Sequence, residues 1–152
     1  MAGEIVSIWI KRAHRGPMDE VSEARLVAGD GLAGSADQGG TRQITIIDEA
    51  SWLEATREAG ANVDPSKRRA NVLVRGIDLE GSLGRTLRLG DCAVRVCGET
   101  KPCERMEEAH PGLRQALKPH WRGGVYGEVV EGGTIRVGDA SGWIDASAPD
   151  AG

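Results

Sequence analysis

The sequence predicts a mainly β fold, a closed or partly closed antiparallel β-barrel carrying one to three short helices. Three observations lead there. Short β-branched stretches of alternating polarity recur between turn residues. Glycine is frequent, at 22 of 152 residues, which suits tight turns between strands better than a helix bundle. The segment 84-GRTLRLGD-91 returns as 132-GGTIRVGD-139, identical at five of eight positions, and each copy reads as a strand running into a turn. Closing such strands on themselves removes exposed edges.

The elements follow in order. Residues 4-EIVSIWI-10 form a first strand and 20-EVSEARLVA-28 a second, which ends at Gly29-Asp30-Gly31. A third, 42-RQITII-47, runs into Asp48, an N-cap for the helix 49-EASWLEATREAG-60. That helix places Trp52, Leu53, Thr56 and Ala59 on one side and stops at Gly60. A strand over 71-NVLVRG-76 comes next, then two strands in 85-RTLRLGDCAVRVCG-98 joined at Gly90-Asp91. Residues 104–118 are helical, with Pro111 interrupting. Hairpins over 125–144 close the chain. Seven or eight strands in one domain over 1–144 and a flexible tail over 145–152 account for the whole.

Composition narrows the function. Apolar residues at 39% and charged residues at 28% describe a globular chain whose core must rest on Val, Ile, Leu and Ala, because Phe is absent. The net charge of -4 gives no overall attraction to a nucleic-acid backbone. No stretch approaches the about 18 consecutive apolar residues of a membrane helix. Basic residues follow rather than precede the apolar run at the N-terminus, the reverse of a secretory signal. A cytoplasmic protein with neither nucleic-acid nor membrane partner is expected.

Three cysteines then need explaining. An odd number in a cytoplasmic setting argues against disulfides, and the spacing of Cys97, Cys103 and His110 is not that of a structural zinc site. Cys92 alternates in phase with Val94 and Val96 and reads as core; Cys97 points to the other face. Cys103 follows Pro102 between Lys101 and Arg105, where a stiff loop leaves a strand and a helix begins. Free N–H groups at a helix start favour anionic sulfur; Lys101 and Arg105 add to that effect, while Glu99 and Glu104 oppose it. A reactive thiol and a small buried hydrophobe are both open readings on these grounds. Basic residues at several strand ends, in 67-KRRAN-71, at Arg42-Gln43 and at Arg122, are placed to converge on one rim and hold an anion, with Asn71 adding an amide.

These residues, in this order, resemble the MOSC family, named for the C-terminal domain of molybdenum cofactor sulfurase. The resemblance runs from about residue 20 to Asp139. It rests on Gly29-Asp30-Gly31-Leu32-x-Gly34, Arg42-Gln43, Arg69-x-Asn71, Leu87-x-Leu89-Gly90-Asp91, Lys101-Pro102-Cys103, Gly123-Gly124 and 131-EGGTIRVGD-139. It implies a MOSC-like β-barrel with a shallow pocket for the molybdenum cofactor, a pterin dithiolene bearing a phosphate. Cys103 takes the position of the molybdenum ligand and would be the catalytic residue. Arg42, Arg69, Asn71, Lys101 and Arg122 are the cofactor-binding candidates, with Arg69, Lys101 and Arg122 for the phosphate. Relatives reduce N-hydroxylated substrates, which would require a separate electron-donor reductase. The alternatives are a sulfur or cofactor carrier, taking a persulfide on Cys103 from a cysteine desulfurase-type donor, and a non-catalytic barrel binding a small anion or a protein. No pyridoxal phosphate is expected, because the chain lacks the length of a fused sulfurase domain. The first glycine loop departs from many members, reading Gly34-Ser35-Ala36-Asp37-Gln38 in place of an Asp-Arg-His set.

Overall fold

A computed structural model describes residues 3–36 and 40–144 of the chain. In chain order its strands are β1 (Gly3–Lys11), β2 (Met18–Val21), β3 (Glu23–Val27), β4 (Gly31–Leu32), β5 (Ile44–Asp48), β6 (Val72–Arg75), β7 (Thr86–Leu89), β8 (Cys92–Glu99), β9 (Val125–Glu131), β10 (Gly133–Arg136) and β11 (Ala140–Ile144). The helices are α1 (Glu49–Ala59), α2 (Glu104–Ala109) and α3 (Leu113–Ala116). The tail expected over 145–152 lies outside the described residues.

Seven strands close a barrel in the order β11-β7-β8-β9-β5-β6-β1, sealed where Gly3 and Glu4 of β1 meet Ser141 and Ala140 of β11. β2 adds to β1 from outside, and β10-β3-β4 form a small second sheet. The stretch expected as one strand over 20–28 is therefore split at Ser22: β2 pairs with β1, whereas β3 pairs with β10. One pair departs from the antiparallel expectation. β5 and β6 run parallel, because α1 lies between them in the chain and carries it back to the starting end. The echoed segments both form strands ending in turns, β7 in the barrel and β10 in the small sheet. Their turns meet, for a Cβ on Gly90 would lie 2.5 Å from Asp139 Oδ2.

The barrel interior is filled by the inward positions of its strands, among them Ile5, Ile8, Ile44, Ile46, Val72, Val74, Leu87, Leu89, Val94, Val96, Val125 and Val129. Cys92 sits fully buried in that cluster, as its phase with Val94 and Val96 requires. A second cluster lies outside the barrel, where Trp52 and Ala55 of α1 pack on Met106, Leu113, Ala116 and Leu117. Asp48 caps α1 by accepting from Ser51 N–H at 2.8 Å, and Gly60 ends the helix in the left-handed conformation. Leu53, expected on the packed side, is 58% exposed; Ala55 takes that place, since α1 turns a narrower stripe toward α2 and α3. The helix expected over 104–118 is broken at Pro111-Gly112, with Gly112 at φ 87 opening α3. This second cluster positions the start of α2 over the barrel end.

Candidate functional site

The site is built where β8 runs out. Thr100 is buried and donates its N–H to Gly124 O at 2.9 Å and its hydroxyl to Gly123 O at 2.8 Å. The glycine pair exists for this approach. A Cβ on Gly123 would lie 2.4 Å from Thr100 O, and one on Gly124 would lie 2.3 Å from Ile46 O. The partly buried Arg68, in the 3-10 turn Pro65–Arg68, locks the arrangement. Its Nε donates to Gly123 O at 3.0 Å and its Nη2 to Thr100 O at 2.9 Å. Pro102 is buried behind this clamp, and Cys103 emerges exposed at the N-cap of α2.

Two contiguous cavities of about 320 Å³ each open beside Cys103 and share it with Arg42, Arg68 and Arg69. The first is completed by Lys11, His14 and Arg15 from the end of β1 and its following loop, and by Arg105 and Met106 of α2. The second is completed by Thr45, Ala70, Thr100, Lys101 and Gly123. Among the described residues no carboxylate lines either, in a chain whose net charge is -4. Burial pushes the Arg68 guanidinium below the usual arginine range; the Cys103 sulfur opposes that shift, and Arg42 adds to it. An anion arriving here relieves mutual repulsion among cations that the fold has already gathered. A larger open cleft of about 740 Å³ adjoins through Arg69 and Arg105 but contains no thiol.

The residues singled out in sequence separate into three groups. Arg42, Arg69, Lys101 and Cys103 are brought together, with Arg42 also lying 5.1 Å from the centroid of the Tyr126 ring. Asn71 is a structural neighbour instead. Its Oδ1 accepts from Thr45 N at 3.0 Å and its Nδ2 donates to Trp9 O at 3.3 Å, so the buried amide ties β5 to β1. Arg122 is elsewhere. It follows the 3-10 turn Pro119–Trp121, which abuts α3, and it lines neither cavity. Its guanidinium takes Glu58 of α1 at 2.9 and 3.1 Å and Ala116 O at 2.9 Å, and this pairing lowers the Glu58 carboxyl below its usual range.

Sequence reasoning missed Lys11, His14 and Arg15 as lining residues, and noted Arg68 only within the run 67-KRRAN-71 and Arg105 only as a cation beside Cys103. The run 11-KRAHR-15 was the available signal, but nothing local says that the β1–β2 loop folds over the end of β8. The first glycine loop reaches the site as well: Ser35 Oγ accepts from Lys11 N–H at 3.1 Å, and Ala36 N–H donates to Lys11 O at 2.8 Å. Asp37 and Gln38 of that loop lie outside the described residues. The helix-terminus argument for Cys103 is weak, because α2 has only six residues and the side chain makes no capping bond. Exposure and the surrounding cations set the thiol apart.

Accessibility alone ranks the three cysteines. Burial pushes both the Cys92 and the Cys97 thiols up, with Glu128 adding at Cys97, whereas Cys103 is exposed. Iodoacetamide near neutral pH, followed by peptide mass spectrometry, should modify Cys103 roughly tenfold faster than Cys97, and Cys92 only after unfolding. Equal rates at Cys97 and Cys103 would contradict this ordering.

Fold and site together define a closed β-barrel that presents an exposed thiol, Cys103, in a hollow rich in cations. The chain belongs to the MOSC domain family, whose model matches residues 13–141. Among solved structures it is similar to the YUAD protein from Bacillus subtilis, at 21% identity over 93% of this chain and 94% of that one, with a TM-score of 0.77. It is also similar to YiiM from Geobacillus stearothermophilus, at 17% identity over 98% and 78% of the two chains, TM-score 0.74. YiiM from Escherichia coli matches at 17% identity over 95% and 70%, TM-score 0.70. No curated protein matches the chain. These likenesses bear on the fold. No helix among the described residues is long and apolar enough to cross a membrane.

Proposed function

We propose that the hollow beside Cys103 binds the molybdenum cofactor, with the Cys103 sulfur as the one protein ligand to the metal. The observation that carries this reading is the convergence of a soft, exposed sulfur with Lys11, Arg15, Arg42, Arg68, Arg69 and Arg105. The MOSC family is associated with this cofactor, and the residues present fit it. Thiolate sulfur suits molybdenum, and guanidinium groups suit the pterin phosphate, which they engage bidentately. Among the described residues no group of three His, Cys, Asp or Glu is arranged to hold a metal ion by itself. A centre here would take its remaining ligands from the pterin.

Bound there, the cofactor would supply two-electron reduction of N-hydroxylated substrates, using electrons from a separate reductase in the cytoplasm. The chain's own residues bind and orient. Arg42 and Arg69 hold the phosphate, Lys101 lies beside the metal ligand, and Arg68 keeps the Cys103 loop in place. The exposure of Cys103 also favours a second reading, in which the thiolate accepts sulfane sulfur from a cysteine desulfurase-type donor and carries it as a persulfide.

The test is protein purified from a host that makes the cofactor, wild type beside Arg42→Gln. Molybdenum and oxidised-pterin fluorescence near one per chain are expected for wild type, with roughly tenfold weaker retention in the variant. Cyanide-labile sulfur on Cys103 without molybdenum would favour the carrier instead.

A further inference from the structure

A separate hollow of about 380 Å³ lies beside the Cys103 loop, lined by Glu99, Lys101, Pro102, Arg114 and Lys118. Three of the five are cations and one is a carboxylate. Lys101 is exposed and lines this hollow and one of the Cys103 cavities alike. Arg114 is partly buried on α3, and among the described residues its Nε is buried without a hydrogen-bond acceptor. A guanidinium N–H removed from water and left unpaired is costly, and native structures keep few of them. Lys118, four residues further along the chain, is exposed and lines the same hollow.

We propose that Lys101, Arg114 and Lys118 form a second oxyanion site, for phosphate or a phosphate monoester, distinct from the Cys103 hollow. A small turn of the Arg114 side chain gives its Nε and one Nη to two oxygens of the anion, the fork geometry that guanidinium favours. The two ammonium groups neutralise the remaining charge, and the Glu99 carboxylate among the lining residues disfavours larger polyanions. Lys101 is common to both hollows and its ammonium serves one anion at a time. Occupancy of either site therefore weakens the other, and the effect is reciprocal. That coupling rests on the anion-binding reading of the Cys103 hollow; the second site itself does not.

The experiment is an NMR titration of ¹⁵N-labelled protein at constant ionic strength, following Arg114 Nε–H and the backbone amides of residues 114–118. Inorganic phosphate and methyl phosphate are added in separate arms. Saturable shifts are expected with a Kd on the order of 1–10 mM, as an open three-cation site allows. Lys118→Gln should weaken binding at least about fivefold. Arg42→Gln, which alters only the Cys103 hollow, should not weaken it and should tighten it if phosphate in that hollow competes for Lys101. Matching affinity for methyl phosphate assigns the site to phosphate esters, and binding of inorganic phosphate alone assigns it to the free ion. Shifts confined to residues around Cys103, linear shifts equal to those with chloride, or indifference to Lys118→Gln would each overturn the proposal. Loss of molybdenum binding elsewhere in the protein leaves this result untouched, so the two readings fail separately.

Discussion

Arg68→Met is expected to lower the melting temperature by roughly 6–12 °C, the equivalent of about 3 kcal/mol in a chain of this size. The guanidinium makes two hydrogen bonds to backbone carbonyls, Thr100 O and Gly123 O, that come from segments far apart in sequence. Methionine fills much of the same volume but leaves both carbonyls without that donor, each worth about 1.5 kcal/mol or more when the donor is charged. Arg68→Lys should recover little, since one ammonium cannot reproduce the fork. Circular dichroism melts of the three proteins decide the matter. An unchanged midpoint in Arg68→Met would mean that the clamp does not hold the Cys103 loop. Burial pushes this guanidinium below the usual arginine range, so an anion bound beside it should raise the midpoint of wild type more than that of the methionine variant.

Gly124→Ala is expected to cost at least about 3 kcal/mol and to remove the ordered site. The residue has φ 98, and an added Cβ would meet Ile46 O at 2.3 Å, on the strand that pairs with Val125. Relief requires β9 to move away from β5, which opens the barrel beside Thr100. Gly29→Ala is the control. It shares a positive φ, 76, but a Cβ there meets nothing within 4 Å, so only the backbone strain of roughly 1–2 kcal/mol applies. Equal destabilisation by the two substitutions would show that close approach at Gly124 is not what the glycine provides.

The barrel was legible in the sequence because its signals are local. Alternation in 92-CAVRVC-97 placed Cys92, Val94 and Val96 in one core, and Asp48 with Gly60 marked both ends of α1. The parallel β5–β6 pair was not legible, since nothing in either strand states its direction relative to the other. Cys103 was found because Pro102, Lys101 and Arg105 mark it within five residues. The rest of the site comes from elsewhere in the chain. Lys11 ends β1 and Arg15 lies in the loop after it, a segment that reaches Cys103 only after the barrel closes. Arg122 shows the converse: next to the glycine pair in sequence, its guanidinium is taken by Glu58 of α1 and Ala116 O of α3. Asn71 was recognised as important, but its amide is spent within the fold, on Thr45 and Trp9.

The central claim is that Cys103 holds a metal-bearing pterin in the cationic hollow. Its most direct test is molybdenum content measured together with pterin fluorescence, in wild type and Cys103→Ala purified from the same cofactor-producing host. About one metal and one pterin per wild-type chain are expected, with loss of both in the variant, and the cofactor-free forms of the two proteins should melt together because the side chain is exposed. Equal metal and pterin in the two proteins, or neither in wild type, would contradict it.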